Sequence, residues 1–62
     1  MKPYLVSYSD STGEHKTELF AISAFCAAAC VVRNSYYGTA IVNHVAEITE
    51  LENGYKCYTR IF

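Results

Sequence analysis

Polar and apolar residues alternate from the first residues of the chain. In Tyr4-Leu5-Val6-Ser7-Tyr8-Ser9, Tyr4, Val6 and Tyr8 fall on one side and Leu5, Ser7 and Ser9 on the other, the two-residue period of a strand with one buried face. Asp10-Ser11-Thr12-Gly13 joins a turn-starting side chain to a glycine that accepts positive φ, so the chain reverses there. From Glu14 to Ala21, Lys16, Glu18 and Phe20 alternate with His15, Thr17 and Leu19, which predicts a second, weaker strand.

The period changes at Ser23. Its hydroxyl suits an N-cap, and the alanine-rich run from Ala24 to Val32 favours a helix of about three turns. Arg33 complements the negative carboxyl end of a helix, and Asn34-Ser35 followed by Gly38 lets the chain leave it near Asn34. Thr39 to Leu51 is a long β-prone stretch whose apolar phase slips between Val42 and Val45, which predicts a bulge or bend. Asn53-Gly54 is the strongest local signal, a tight hairpin turn, and Tyr55 to Phe62 is the last strand. The expected fold is α+β, a single ββαββ domain over residues 1–62 with a four-stranded antiparallel sheet and one helix packed on one face.

Length makes such a domain marginal, because a chain of about 60 residues buries only about 60% of the surface it exposes when unfolded. Its composition, 52% hydrophobic and 15% aromatic, still argues for folding over disorder. A net charge of -1 supplies no large field that would draw in nucleic acid. The longest uncharged run, Leu19 to Val32, falls well short of the roughly 20 apolar residues that cross a bilayer. It begins late and follows Glu14 and Glu18, unlike a secretory signal, so a cytoplasmic protein is expected.

Few residues suggest chemistry. Cys26 and Cys30 share a helical face, but His15, His44 and Cys57 have no recognised zinc spacing relative to them; reduced thiols packed as small apolar groups are expected, with no metal and no cofactor. No motif surrounds either histidine, and Glu47, Glu50 and Glu52 read as a solvated edge, so no enzyme activity is expected.

Binding residues stand out better. Lys56, Tyr58, Arg60 and Phe62 share one face of the last strand, a row of two cations around an aromatic that suits a protein surface or nucleic acid, while Tyr55, Cys57, Thr59 and Ile61 read as core. Tyr36 and Tyr37 occupy the loop after the helix, one expected to tuck inward and the other to offer a large contact area with few rotatable bonds. The helix itself is apolar on every side. A sheet covers only part of it, so Ala24, Ala27, Ala28 and Val31 are the candidate outer stripe, either cheaply exposed or covered by a partner or a second copy.

Taken together, Tyr4-Leu5-Val6, Ala21, Ser23 with Ala27, Asn34, Gly38-Thr39, Asn53-Gly54 and Tyr58 resemble the small phage-encoded anti-CRISPR proteins that inhibit type I-F surveillance complexes, in their short ββαββ form. The resemblance implies a protein-binding inhibitor in a bacterial host cell that docks on the subunits holding the guide RNA and blocks target DNA binding, without catalysis. It also implies that Tyr36 lies in a contact loop. A nucleic-acid-binding module using the basic, aromatic strand face and a structural homodimer packed through the helix are the alternatives.

Overall fold

The structure is a computed structural model that describes the backbone of residues 1–62 and every side chain except that of Tyr36. Strands β1 (Lys2–Asp10) and β2 (Gly13–Ala21), helix α1 (Ala24–Asn34), strand β3 (Ile41–Glu50) and strand β4 (Lys56–Arg60) follow one another along the chain. The four strands form one antiparallel sheet in the order β2-β1-β3-β4. The ββαββ expectation therefore holds.

The local signals act as the residue types dictate. Ser23 caps α1, its hydroxyl oxygen accepting from the Cys26 amide at 3.1 Å. At the other end Ser35 leaves the helix in extended conformation while its hydroxyl donates to the Val32 carbonyl at 2.6 Å. The phase slip in β3 is a bulge: Ser7 pairs with His44 but Tyr8 pairs with Val42, which leaves Asn43 as the extra residue. Asn53-Gly54 departs from expectation, because only Gly54 has a positive φ, of 84°. The Gly54 amide donates to the Leu51 carbonyl and the Leu51 amide to the Tyr55 carbonyl. The connection is thus a longer loop than a two-residue turn that needs positive φ at both central positions.

Register decides which residues meet the helix. Val6 lies opposite Thr17 on one side and Val45 on the other, and residues directly opposite in a ladder share a face. Tyr4, Val6 and Val45 thereby form the floor on which α1 rests, with Ala21, Ala24 and Ala27 closing the core. Val6 and Val45 are the two largest fully buried side chains among the described residues.

Here the expected helix orientation is corrected. Ala24 and Ala27 are buried, and Ala28 and Val31 are half-buried against the same core. This stripe, proposed as an outer or dimer face, is the inner one. Small side chains let the helix approach the sheet closely, and Phe25, too large for that gap, points outward and is 75% exposed. A helix without polar residues carries no sign of which side is out.

The second correction concerns β4. The helix packs over β3, β1 and β2, and every residue of β4 is exposed. Tyr55, Cys57, Thr59 and Ile61, read as core, are all exposed. The radius of gyration, 11.9 Å, exceeds the about 10.6 Å of a compact chain of this length. The sheet extends past its only cover.

At the tip of the first hairpin the Asp10 carboxylate accepts from the Thr12 hydroxyl at 2.6 Å and the Thr12 amide at 2.8 Å. His15 Nε2 lies 2.6 Å from that hydroxyl and 3.1 Å from the carboxylate, and its ring leans on Tyr8 at 5.4 Å. The Thr12 hydroxyl, then the Thr12 amide, and less strongly His15 hold the Asp10 pKa below its ordinary value. Stability linked to this group is present above the ordinary carboxyl pKa and lost as pH falls through the lowered one.

Two outcomes follow. Ala27→Leu overfills the helix–sheet gap and lowers unfolding free energy by about 1–3 kcal/mol in urea titration, whereas Ala29→Leu on the exposed side changes it by less than about 0.5 kcal/mol. In an NMR titration the Asp10 carboxyl has a midpoint below that of an unstructured aspartate, and Thr12→Val moves it back toward that reference.

Candidate functional site

One face of the sheet carries no helix, and strand alternation assigns residues to it. Glu14, Lys16, Glu18 and Phe20 of β2 point there with Pro3, Leu5, Ser7 and Ser9 of β1, because their neighbours His15, Thr17, Leu19, Tyr4, Val6 and Tyr8 occupy the helix side. His44, Ala46, Ile48 and Glu50 of β3 join them. Opposite the last three stand Arg60, Tyr58 and Lys56. The three β4 residues singled out as binding candidates therefore lie together on the open face.

Its centre is apolar. Phe20 pairs with Pro3, and Ile48 with Tyr58. Continuing the β1–β3 register one residue beyond Tyr4 and Glu47 sets Pro3 beside Ile48, so one row crosses all four strands. Ile48 is buried although no helix covers it. Lys56 provides part of the cover: its ammonium reaches Glu18 at 3.5 Å, spanning two intervening strands, and Lys56, Glu18, Pro3 and Phe20 line one recess with Ile48. The ion pair is half-exposed on both sides and adds little by itself; the lysine stem shields apolar surface.

Charges around this row balance. Lys16, Lys56 and Arg60 face Glu14, Glu18 and Glu50 on the same side of the sheet. An open face with such a balance lacks the one-sided positive field that drives counterion-releasing contact with a phosphate backbone. It resembles a protein-contact surface, with an apolar and aromatic centre and a mixed polar rim.

The tyrosine loop lies elsewhere. Residues 36–38 form a single 3-10 turn in which Tyr37 has φ 55° and ψ 21°, followed by Gly38 at φ 64°. A bulky residue in the left-handed region is strained, and Tyr37 is 84% exposed. One tyrosine of the pair is expected to tuck inward; Tyr37 does not, and the Tyr36 side chain lies outside the described residues. The loop leads into Ile41, level with Ser9, whereas Tyr58 is level with Pro3. Six residues of strand separate those levels, about 20 Å, so the fold does not bring the tyrosine loop and the β4 row together.

A second apolar surface was not anticipated. Phe62, expected on the face of Lys56, Tyr58 and Arg60, lies on the helix side instead. β4 ends at Arg60, backbone bonds of Val45 to Ile61 and Phe62 bring the C-terminal aromatic toward α1, and Phe25, Ala29, Val32, Val42 and Phe62 line a groove there. Only the all-apolar character of the helix hinted at it.

No metal-binding set emerges. Cys26 and Cys30 are half-buried on α1, and Cys57 is exposed on β4. Among the described residues no group of three histidine, cysteine or acidic side chains could hold a metal ion. Among the described residues no helix is long and apolar enough to cross a membrane. Comparison with protein-family models, curated proteins and solved structures produced no match to the chain.

Strain at Tyr37 separates stability from recognition. Tyr37→Asn, which suits the left-handed backbone better, leaves the thermal midpoint unchanged or raised while weakening binding of any partner that uses the loop. Thermal unfolding and titration calorimetry on one preparation read both.

Proposed function

We propose that this chain is a non-catalytic protein-binding module whose main contact surface is the helix-free sheet face centred on Tyr58 and Ile48. The observation carrying this reading is the ratio of exposed to buried apolar residues. Among the described residues eleven large hydrophobic side chains are exposed, against eight buried hydrophobic residues, four of them alanine. Scattered exposed apolar residues are ordinary. Here Phe20, Tyr58 and the partly covered Pro3 and Leu5 are contiguous, and contiguous apolar surface rimmed by polar groups marks interaction sites.

Roles follow from position. Tyr58 supplies the aromatic anchor, with Phe20 and the buried Ile48 beside it. Lys56 and Arg60, opposite Glu50 and Ala46, flank the anchor and meet acidic groups of a partner. Tyr37, on its strained loop, serves a separate contact. The resemblance to anti-CRISPR inhibitors supplies a first candidate partner, a type I-F surveillance complex, and a mode of action, the exclusion of target DNA by occupancy.

Interferometry with purified type I-F complex tests the proposal directly. The wild-type chain binds and prevents target DNA capture; Tyr58→Ala weakens binding by about 30-fold or more, as expected of an interface anchor. Unchanged affinity in a folded Tyr58→Ala variant removes the sheet face from the reading. Failure of the wild type to bind removes this partner. Association with DNA or RNA alone that falls steeply with salt replaces the proposal with the nucleic-acid alternative.

A further inference from the structure

We infer that the outer edge of β2 pairs with the same edge of a second copy, joining two sheets into one of eight strands about a two-fold axis at Thr17. The two sheet edges differ in kind. β4 has five residues, and its outer row carries Lys56 and Arg60; antiparallel self-pairing about Tyr58 sets these cations against each other. Short length and like charge are how proteins blunt an edge. β2 has nine residues paired in unbroken register with β1, without proline or bulge, and nothing in its charge pattern resists pairing.

Backbone direction permits the contact. The Val45 amide donates to Phe62 and its carbonyl accepts from Ile61, so the odd-numbered neighbours of Val45 on β3 turn toward β4 and Ala46 and His44 toward β1. Alternation carries through their ladder partners Leu5 and Ser7 to β2. Thr17 and Leu19 bond inward to β1, leaving the amides and carbonyls of Glu14, Lys16, Glu18 and Phe20 along the free edge.

Charge and overlap together select a single register. With Thr17 opposite its own copy, Lys16 stands across from Glu18 of the second chain, and Glu18 across from Lys16, two opposite-charge pairs on the open face. These same residues are the ones whose backbone groups point outward. Centring one position away, on Lys16 or Glu18, sets like charges directly opposite each other. Cross-strand pairs of opposite charge stabilise a ladder and like pairs destabilise it. Centring on His15 also opposes Lys16 to Glu14 but overlaps only residues 13–17 of the strand, whereas centring on Thr17 pairs all nine residues of Gly13–Ala21, so Thr17 is the register that combines complementary charge with full overlap. The same register lays the Lys16 stem diagonally beside the second chain's Phe20, whose ring is 69% exposed in the single chain. Glu18 already meets Lys56 through Oε2, and its other oxygen serves the new partner. An isologous, closed contact results, the commonest form of assembly.

Sedimentation of the purified chain over a range of concentrations, with hydrogen exchange, tests this. A monomer–dimer equilibrium is expected. Lys16→Glu and Glu18→Lys each weaken it roughly tenfold, since two attractive pairs become repulsive. Mixed one to one, the two single variants associate with each other more tightly than either does with itself, and the doubly exchanged chain, K16E with E18K, dimerises like the parent. Amides of Glu14, Lys16, Glu18 and Phe20 in the unmodified chain gain protection as concentration rises, a readout independent of how the variants fold. A monomer at about 1 mM, a dimer without protection of those amides, or folded variants lacking the mixing preference overturns the inference.

Discussion

Everything in this molecule depends on how far one short helix can reach. Ala24 and Ala27 rest on Tyr4, Val6 and Val45, and that contact is the centre of the apolar core. Burial near 25 cal/mol for each Å² removed from water is the main favourable contribution to folding, and here it is concentrated between three strands and eleven helical residues. What lies outside that footprint is stabilised by hydrogen-bonded ladders and by side chains lying across one another. Ile48 is the clearest case, buried on the wrong side of the sheet by a lysine stem and its neighbours.

The same limit shapes the surface. A layer covered on one side leaves the other side to be apolar or polar as function requires, and antiparallel sheets tolerate a solvated face. In this chain the solvated face is neither uniformly polar nor uniformly basic. Its apolar row is continuous across the strands and its ionic groups cancel, which suits recognition by shape and contact more than by long-range attraction. The tyrosine loop, some 20 Å distant along the strands, belongs to a separate patch.

Much of this was legible in the residues. Alternation, β-propensity and the Asn53-Gly54 turn located the four strands, Ser23 announced the helix, and the phase slip between Val42 and Val45 announced a bulge or bend that the register puts at Asn43. The shared face of Lys56, Tyr58 and Arg60 was equally plain, because a period of two survives whatever the strand packs against. Orientation of the helix was not legible: with no polar side chain between Ala24 and Val32, periodicity has no phase to report. The assignment of Tyr55, Cys57 and Ile61 to the core failed for a different reason, since alternation says which residues share a face but not whether another layer covers it. The Glu18–Lys56 contact joins residues from the two ends of the sheet order, and no local pattern encodes that.

Val45 carries a consequence for how the fold is reached. It fills the core beside Val6 while its backbone holds Ile61 and Phe62, so both the interior and the far edge wait on a residue from the last third of the chain. The first hairpin can close locally within microseconds, but the β1–β3 ladder must first bridge the helix and its loop, a long-range step that slows folding. During vectorial synthesis the N-terminal hairpin and helix therefore precede their own core. A chain stopped before Val45 already holds Tyr4, Val6, Ala21, Ala24 and Ala27 but lacks the valine opposite Val6 and the β3 residues that pair with Tyr4 and Leu5, so the floor under its helix is left incomplete.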